Sequence, residues 1–172
     1  MRYVALWRGI NVGKAKRLAM SDLKALLTEL GATNVATLLN SGNAVFDVKK
    51  QFRADKIRAA VAETLGVDAA VILKTAAEWA TIAAANPISE ADDPSRLLVA
   101  IPADAAALQA AAGIMADGGE RFVVTAHAAY LWCGNGILQS KAAVLLLKKL
   151  GEAGTTRNWS TVQKLNALVQ QG

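Results

Sequence analysis

The chain has 172 residues, 53% of them hydrophobic, and a formal net charge of +5 at neutral pH. That length suits one compact domain or two small ones and is enough to bury a core. Much of the apolar content is alanine, and the absence of any charge-free apolar run of about 18 residues excludes a transmembrane helix. The N-terminus lacks the features of a signal peptide, and the single Cys133 excludes an internal disulfide, so the expected setting is the cytoplasm.

The first predicted element is a strand over residues 3–8, Tyr-Val-Ala-Leu-Trp-Arg. A helix is expected over 21–30, where Leu23, Leu26, Leu27 and Leu30 form one apolar face, Ser21 stands ready to cap it and Gly31 stops it. Strands at 35–39 and 44–48 flank Asn40-Ser41-Gly42-Asn43, a hairpin signal. Phe52, Ile57, Val61 and Leu65 mark a second helix ended by Gly66, and 69–73 is the next strand. An extra helix follows, opened by Thr75 and Glu78 at capping-box spacing.

The order then partly repeats. Residues 97–101 read as a strand and 104–112 as a helix; 122–125 and 129–133 read as a hairpin, and 140–150 as a helix. Residues 155–157 supply a short last strand ahead of a helix through Val162, Leu165 and Val169. A βαββαβ order is the ferredoxin-like plait, so the expected fold is α+β, with two plaits in tandem. Their expected extents are 1–92 and 93–172, with the proline- and acid-bearing stretch 86–95 as the junction.

Three polar clusters punctuate these elements: Arg8-Gly9-Ile10-Asn11-Val12-Gly13, Asn40-Ser41-Gly42-Asn43, and Thr155-Thr156-Arg157-Asn158-Trp159-Ser160-Thr161. In this order and over essentially the whole chain they resemble the bacterial domain of unknown function 1697. The resemblance implies two ferredoxin-like plaits and implies no activity. The chain departs from the family pattern at Lys14, where a second glycine is usual. It departs again at Leu138-Gln139, where members tend to read Gly-Arg ahead of Ser140-Lys141.

The candidate ligand-binding residues are Arg8, Asn11, Lys14, Ser41, Asn43, Ser140, Lys141, Thr156, Arg157 and Asn158. Nearly all are hydrogen-bond donors or cations and none is a carboxylate, a set suited to holding an anion and poorly suited to acid–base catalysis. The expectation is therefore a protein that binds a phosphate-bearing ligand where the three clusters meet, with Arg8 and Arg157 as clamps. No catalytic set, cofactor or metal site is recognised. One rival is metal-dependent phosphoryl or nucleotidyl transfer, with Asp22 or Asp47 as the nearest carboxylates in sequence. Another is nucleic-acid binding, because residues 1–24 carry six Lys or Arg against one acid and 139–172 carry five against one. A last reading makes the apolar Val144–Leu147 helix face an assembly surface.

Each motif also has a purely structural reading. Asn11 caps backbone groups in a turn, Ser41–Asn43 is hairpin chemistry, and Ser160 with Gln163 has capping-box spacing. Cys133 reads as a buried thiol, His127 as a turn residue, and Tyr3, Trp7 and Phe46 as core.

Overall fold

A computed structural model describes residues 1–172. The first four strands are β1 (Arg2–Trp7), β2 (Thr33–Thr37), β3 (Asn43–Asp47) and β4 (Val71–Thr75). They form an antiparallel sheet of order β2-β3-β1-β4. Helices α1 (Met20–Glu29) and α2 (Ala54–Leu65) connect them, giving the βαββαβ order, and α3 (Ala76–Ala84) follows. The second set is β5 (Leu97–Pro102), α4 (Ala105–Ala111), β6 (Arg121–Val124), β7 (Ala129–Trp132), α5 (Lys141–Leu150), β8 (Gly154–Asn158) and α6 (Trp159–Gln170). Its sheet has the order β6-β7-β5-β8, the same topology repeated. The fold is thus α+β, two tandem ferredoxin-like plaits.

Two compact units emerge. One holds Met1–Trp79 together with Ala167–Gly172, and the other holds Ala80–Asn166. The C-terminal segment is tied into the first unit by Arg2, whose guanidinium donates to the Leu168 carbonyl at 2.9 Å.

In the first unit, Leu23, Leu26 and Leu27 of α1 and Ile57 and Val61 of α2 pack on Tyr3, Ala5, Trp7, Ala44 and Phe46. Phe46 is the centre of an aromatic row, 6.2 Å from the Tyr3 ring and 5.7 Å from Phe52. Alternate residues Val4, Leu6, Val45 and Ile72 are buried too, which explains why β1 reads as an unbroken apolar run. Gly66 ends α2 in the left-handed conformation, its N–H returned to the Ala62 carbonyl. The Thr75–Glu78 capping box forms as the spacing predicts: the Thr75 N–H donates to Glu78 Oε2 at 2.8 Å and the Glu78 N–H to Thr75 Oγ1 at 3.2 Å.

In the second unit α4 and α5 cover one sheet face through Leu108, Ala111, Ala142, Ala143 and Leu146, against Leu98, Ala100, Ala129 and Leu131. Asp104 caps α4 by accepting the Ala107 N–H at 2.9 Å. Leu97, Val99, Ile101 and Tyr130 are buried as well. Tyr130 donates its hydroxyl to the Ile82 carbonyl at 2.7 Å, and burial pushes its pKa up to about 12. Cys133 is buried; loss of solvent raises its thiol to about 11, so it is not a poised nucleophile.

Candidate functional site

Where β1 ends, the Trp7 N–H donates to the Gly42 carbonyl at 2.9 Å and the Arg8 N–H to the Ala70 carbonyl at 3.0 Å. The chain then turns through Gly9, buries Ile10 and projects as a loop that returns at Leu18. Asn11 closes that loop. Its amide nitrogen donates to the Leu18 carbonyl at 2.8 Å and to the Asn40 carbonyl at 2.7 Å, while its Oδ1 accepts the Leu18 N–H at 2.7 Å. Asn11 is left-handed, a conformation that asparagine tolerates better than most residues. One side chain thus joins the first polar cluster to the hairpin 29 residues away, and its three bonds give it a positioning role.

The hairpin is built around the same junction. Asn43 is fully buried and donates to the Leu38 carbonyl at 2.7 Å and to Ser41 Oγ at 3.0 Å. Gly42, left-handed at φ +91°, lies against Trp7 and Ile10 so closely that a Cβ there would sit 2.6 Å from Ile10 Cδ1. Ser41 is exposed.

Beyond Asn11 the loop tip is exposed from Val12 to Arg17 and carries Lys14, Lys16 and Arg17. Arg17 folds back so that its guanidinium donates to the Asn11 carbonyl at 3.4 Å and the Gly13 carbonyl at 3.2 Å. An open cleft of about 440 Å³ lies beside it, lined by Asn11, Arg17, Leu18, Ala19, Asp22 and Asn40. Helix α1 opens onto this cleft. Its N-cap is Ala19, with no side-chain capping bond, rather than the expected Ser21. Asn11 and the burial of Leu18 fix where the chain enters the helix, which moves Ser21 inside the first turn. The N–H groups of that turn give the cleft a positive end, offset by Asp22 in the same turn. Arg17 and Asn40 were not among the candidate ligand-binding residues, although Asn40 opens the second polar cluster; the basic run Lys14-Ala15-Lys16-Arg17 is the sequence signal that could have found Arg17.

In the second unit, Ser140 caps α5, its Oγ accepting the Ala143 N–H at 3.0 Å, and is buried. Lys141 is exposed beside a cleft of about 210 Å³ that it shares with Asp117, Glu120, Asn135 and Gln139. Two carboxylates at that opening oppose an anion there. On β8, Arg157 pairs in register with Val99 and is only 8% exposed. Its guanidinium donates to Thr155 Oγ1 at 3.1 Å and to the Thr156 carbonyl at 2.8 Å, and burial lowers its pKa to about 10, which leaves it charged at neutral pH. Thr156 is half-buried.

Asn158 caps α6. Its Oδ1 accepts the Thr161 N–H at 2.9 Å and the Thr161 hydroxyl at 3.0 Å. The spacing of Ser160 and Gln163 pointed to a cap at Ser160; α6 instead starts at Trp159, because β8 pairing runs through Asn158 and delivers that residue to the cap position.

The aromatics Tyr3, Trp7 and Phe46 lie in the core, so they offer no stacking face to a base. No group of three or more His, Cys, Asp or Glu side chains is arranged to hold a metal. No helix is long and apolar enough to cross a membrane.

A family model described as "Protein of unknown function (DUF1697)" matches residues 1–130. No curated protein matches the chain. Among solved structures, that of the conserved bacterial protein SP0830 from Streptococcus pneumoniae superposes with a TM-score of 0.72. It is 19% identical, and the match covers 98% of each chain, a likeness of fold.

Proposed function

The chain belongs to the DUF1697 family of proteins of unknown function, and we propose that it binds a small phosphate-bearing ligand at the cleft beside the Val12–Arg17 loop. The observation that carries this reading is the meeting of an α1 N-terminus without a side-chain cap and the Arg17 guanidinium at one open cleft. Lys14 and Lys16 stand on the exposed loop and raise the local concentration of anions; Arg8 sits half-buried at the loop's root. Asn11, Ser41 and Asn43 hold the cleft's walls. On this reading Ser140, Arg157 and Asn158 serve the second unit's own architecture, since each is engaged in a cap or a strand. The setting is the cytoplasm, which the single buried thiol suits.

The test is a thermal-shift and calorimetric screen with inorganic phosphate, sugar phosphates and nucleotides at low and moderate salt. A ligand at about 100 times its dissociation constant adds roughly 2.7 kcal/mol of stability. Arg17→Ala combined with Lys14→Ala is expected to abolish the shift, while Lys141→Ala leaves it unchanged. Retention of the shift in the first variant overturns the assignment. Mg²⁺-dependent turnover would overturn the binding-only reading in favour of phosphoryl transfer using Asp22. A response seen only with nucleic acid, falling steeply with salt, would replace the small ligand by a polynucleotide.

A further inference from the structure

Helix α5 carries a surface that the anion site does not use. Its inward side is Ala142, Ala143, Leu146 and Leu150. Lys141, Val144, Leu145 and Lys148 fall at i, i+3, i+4 and i+7, so they share the opposite face. Val144 is 69% exposed and Leu145 39% exposed, and Leu138, on the turn that leads into the helix, is 96% exposed. Single exposed apolar side chains are ordinary, but two on one helical stripe bracketed by lysines, with a third just ahead, form a patch. Lys149 adds another exposed cation, and the helix has no acidic residue at all.

We propose that this face docks an acidic amphipathic helix from a partner protein. Apolar residues spaced at i, i+3 and i+4 on such a helix would cover Val144 and Leu145, while its Glu or Asp residues would meet Lys148 and Lys149, since Lys141 shares its cleft with Asp117 and Glu120. Charge complementarity selects that occupant: a cationic rim around an apolar stripe repels a basic helix and leaves lysines unmatched against a neutral one. A second copy of this chain is a poorer fit, because two of the three acids in its own stretch 86–95 are engaged internally. Glu90 pairs with Arg121, and Asp93 pairs with Arg96 and accepts from Ser95. The patch is also short, one ten-residue helix, which suits a transient contact better than an obligate interface.

The experiment uses the full chain and, as probe, a fluorescent synthetic helical peptide with leucine at i, i+3, i+4 and i+7 and glutamate on its flanks. Fluorescence anisotropy is expected to show saturable binding that weakens at least tenfold in Val144→Asp and, separately, in Lys148→Glu. Both positions are solvent-exposed, and circular dichroism checks that the variants stay folded. A composition-matched scrambled peptide is expected to bind at least tenfold more weakly. Equal binding by the scrambled peptide, or no change in either variant, overturns the proposal. Sedimentation showing a wild-type dimer that Val144→Asp dissociates would give the face to a second copy. Stronger capture by anionic lipid vesicles than by the peptide would give it to a membrane surface. Either result rejects the acidic helix.

Discussion

Gly42→Ala tests the junction on which the proposed first-unit site rests. Gly42 is left-handed at φ +91°, a conformation that costs an L-residue about 1–2 kcal/mol. The new methyl group would also sit 2.6 Å from Ile10 Cδ1 and 2.9 Å from Trp7 Cβ. Neither atom retreats freely, because Trp7 is fully buried on β1 and Ile10 is 2% exposed. Overpacking of this kind typically adds about 1–3 kcal/mol, for a combined loss of about 2–5 kcal/mol. Gly13→Ala is the internal control: its φ is +62°, but nothing lies within 4 Å of the added Cβ, so it carries only the conformational part. Urea unfolding followed by tryptophan fluorescence, with the slope held common, should place Gly42→Ala roughly 1–3 kcal/mol below Gly13→Ala. At about 2–4 °C per kcal/mol for a chain of this size, the two are readily resolved by melting as well. Equal losses in the two variants would refute the close packing of the hairpin on the first loop, and with it the cleft that the two segments build.

Asn158→Ala should destabilise the protein by about 1 kcal/mol through loss of the α6 cap, while Ser160→Ala stays within about 0.5 kcal/mol; the reverse order in denaturant melts would restore Ser160 as the cap. Asp47 is held below the usual carboxylate range, first by the Asn34 amide and also by Arg2, against partial burial that acts the other way. Its folded pKa is therefore lower than its unfolded value of 3.8, so its contribution is present above that value and is lost as the pH falls through the folded one. Urea midpoints measured from pH 6 down to pH 2.5 should decline less steeply in Asp47→Asn, and identical acid limbs would contradict the pairing. Cys133 should react with a thiol reagent on the order of 100-fold more slowly in the native protein than in urea, since burial keeps it protonated and covered. Comparable rates in the two states would mean that the β7 end opens freely.

The elements most legible in the sequence are those whose cause is local. The unbroken apolar runs of β1 and β5 announce strands buried on both faces, and Gly66 marks the end of α2 without help from any distant residue. Thr75 and Glu78 lie three residues apart and satisfy each other, so their capping box was readable from spacing alone. Ser160 and Gln163 have the same spacing and do not cap, because Asn158 reaches the Thr161 N–H first. Ser21 loses the α1 cap for a similar reason: Asn11 secures Leu18 and fixes where that helix begins.

The site was legible as residue types and not as roles. Asn11 stood out as a turn residue, but its bond to the Asn40 carbonyl spans 29 residues and has no sequence mark. Arg157 stood out as a clamp for an anion, yet its exposure depends on register. Pairing with Val99 sets it on the buried side of β8, and a one-residue slip would turn it to the other face. By itself, then, the chain's apolar periodicity, caps and turn glycines determine two βαββαβ units, since these signals act within a few residues. Which polar side chains meet solvent at a cleft and which are consumed in holding the chain was decided only by the tertiary structure. Burial and hydrogen-bond partnership depend on strand register and on contacts between segments far apart in the chain.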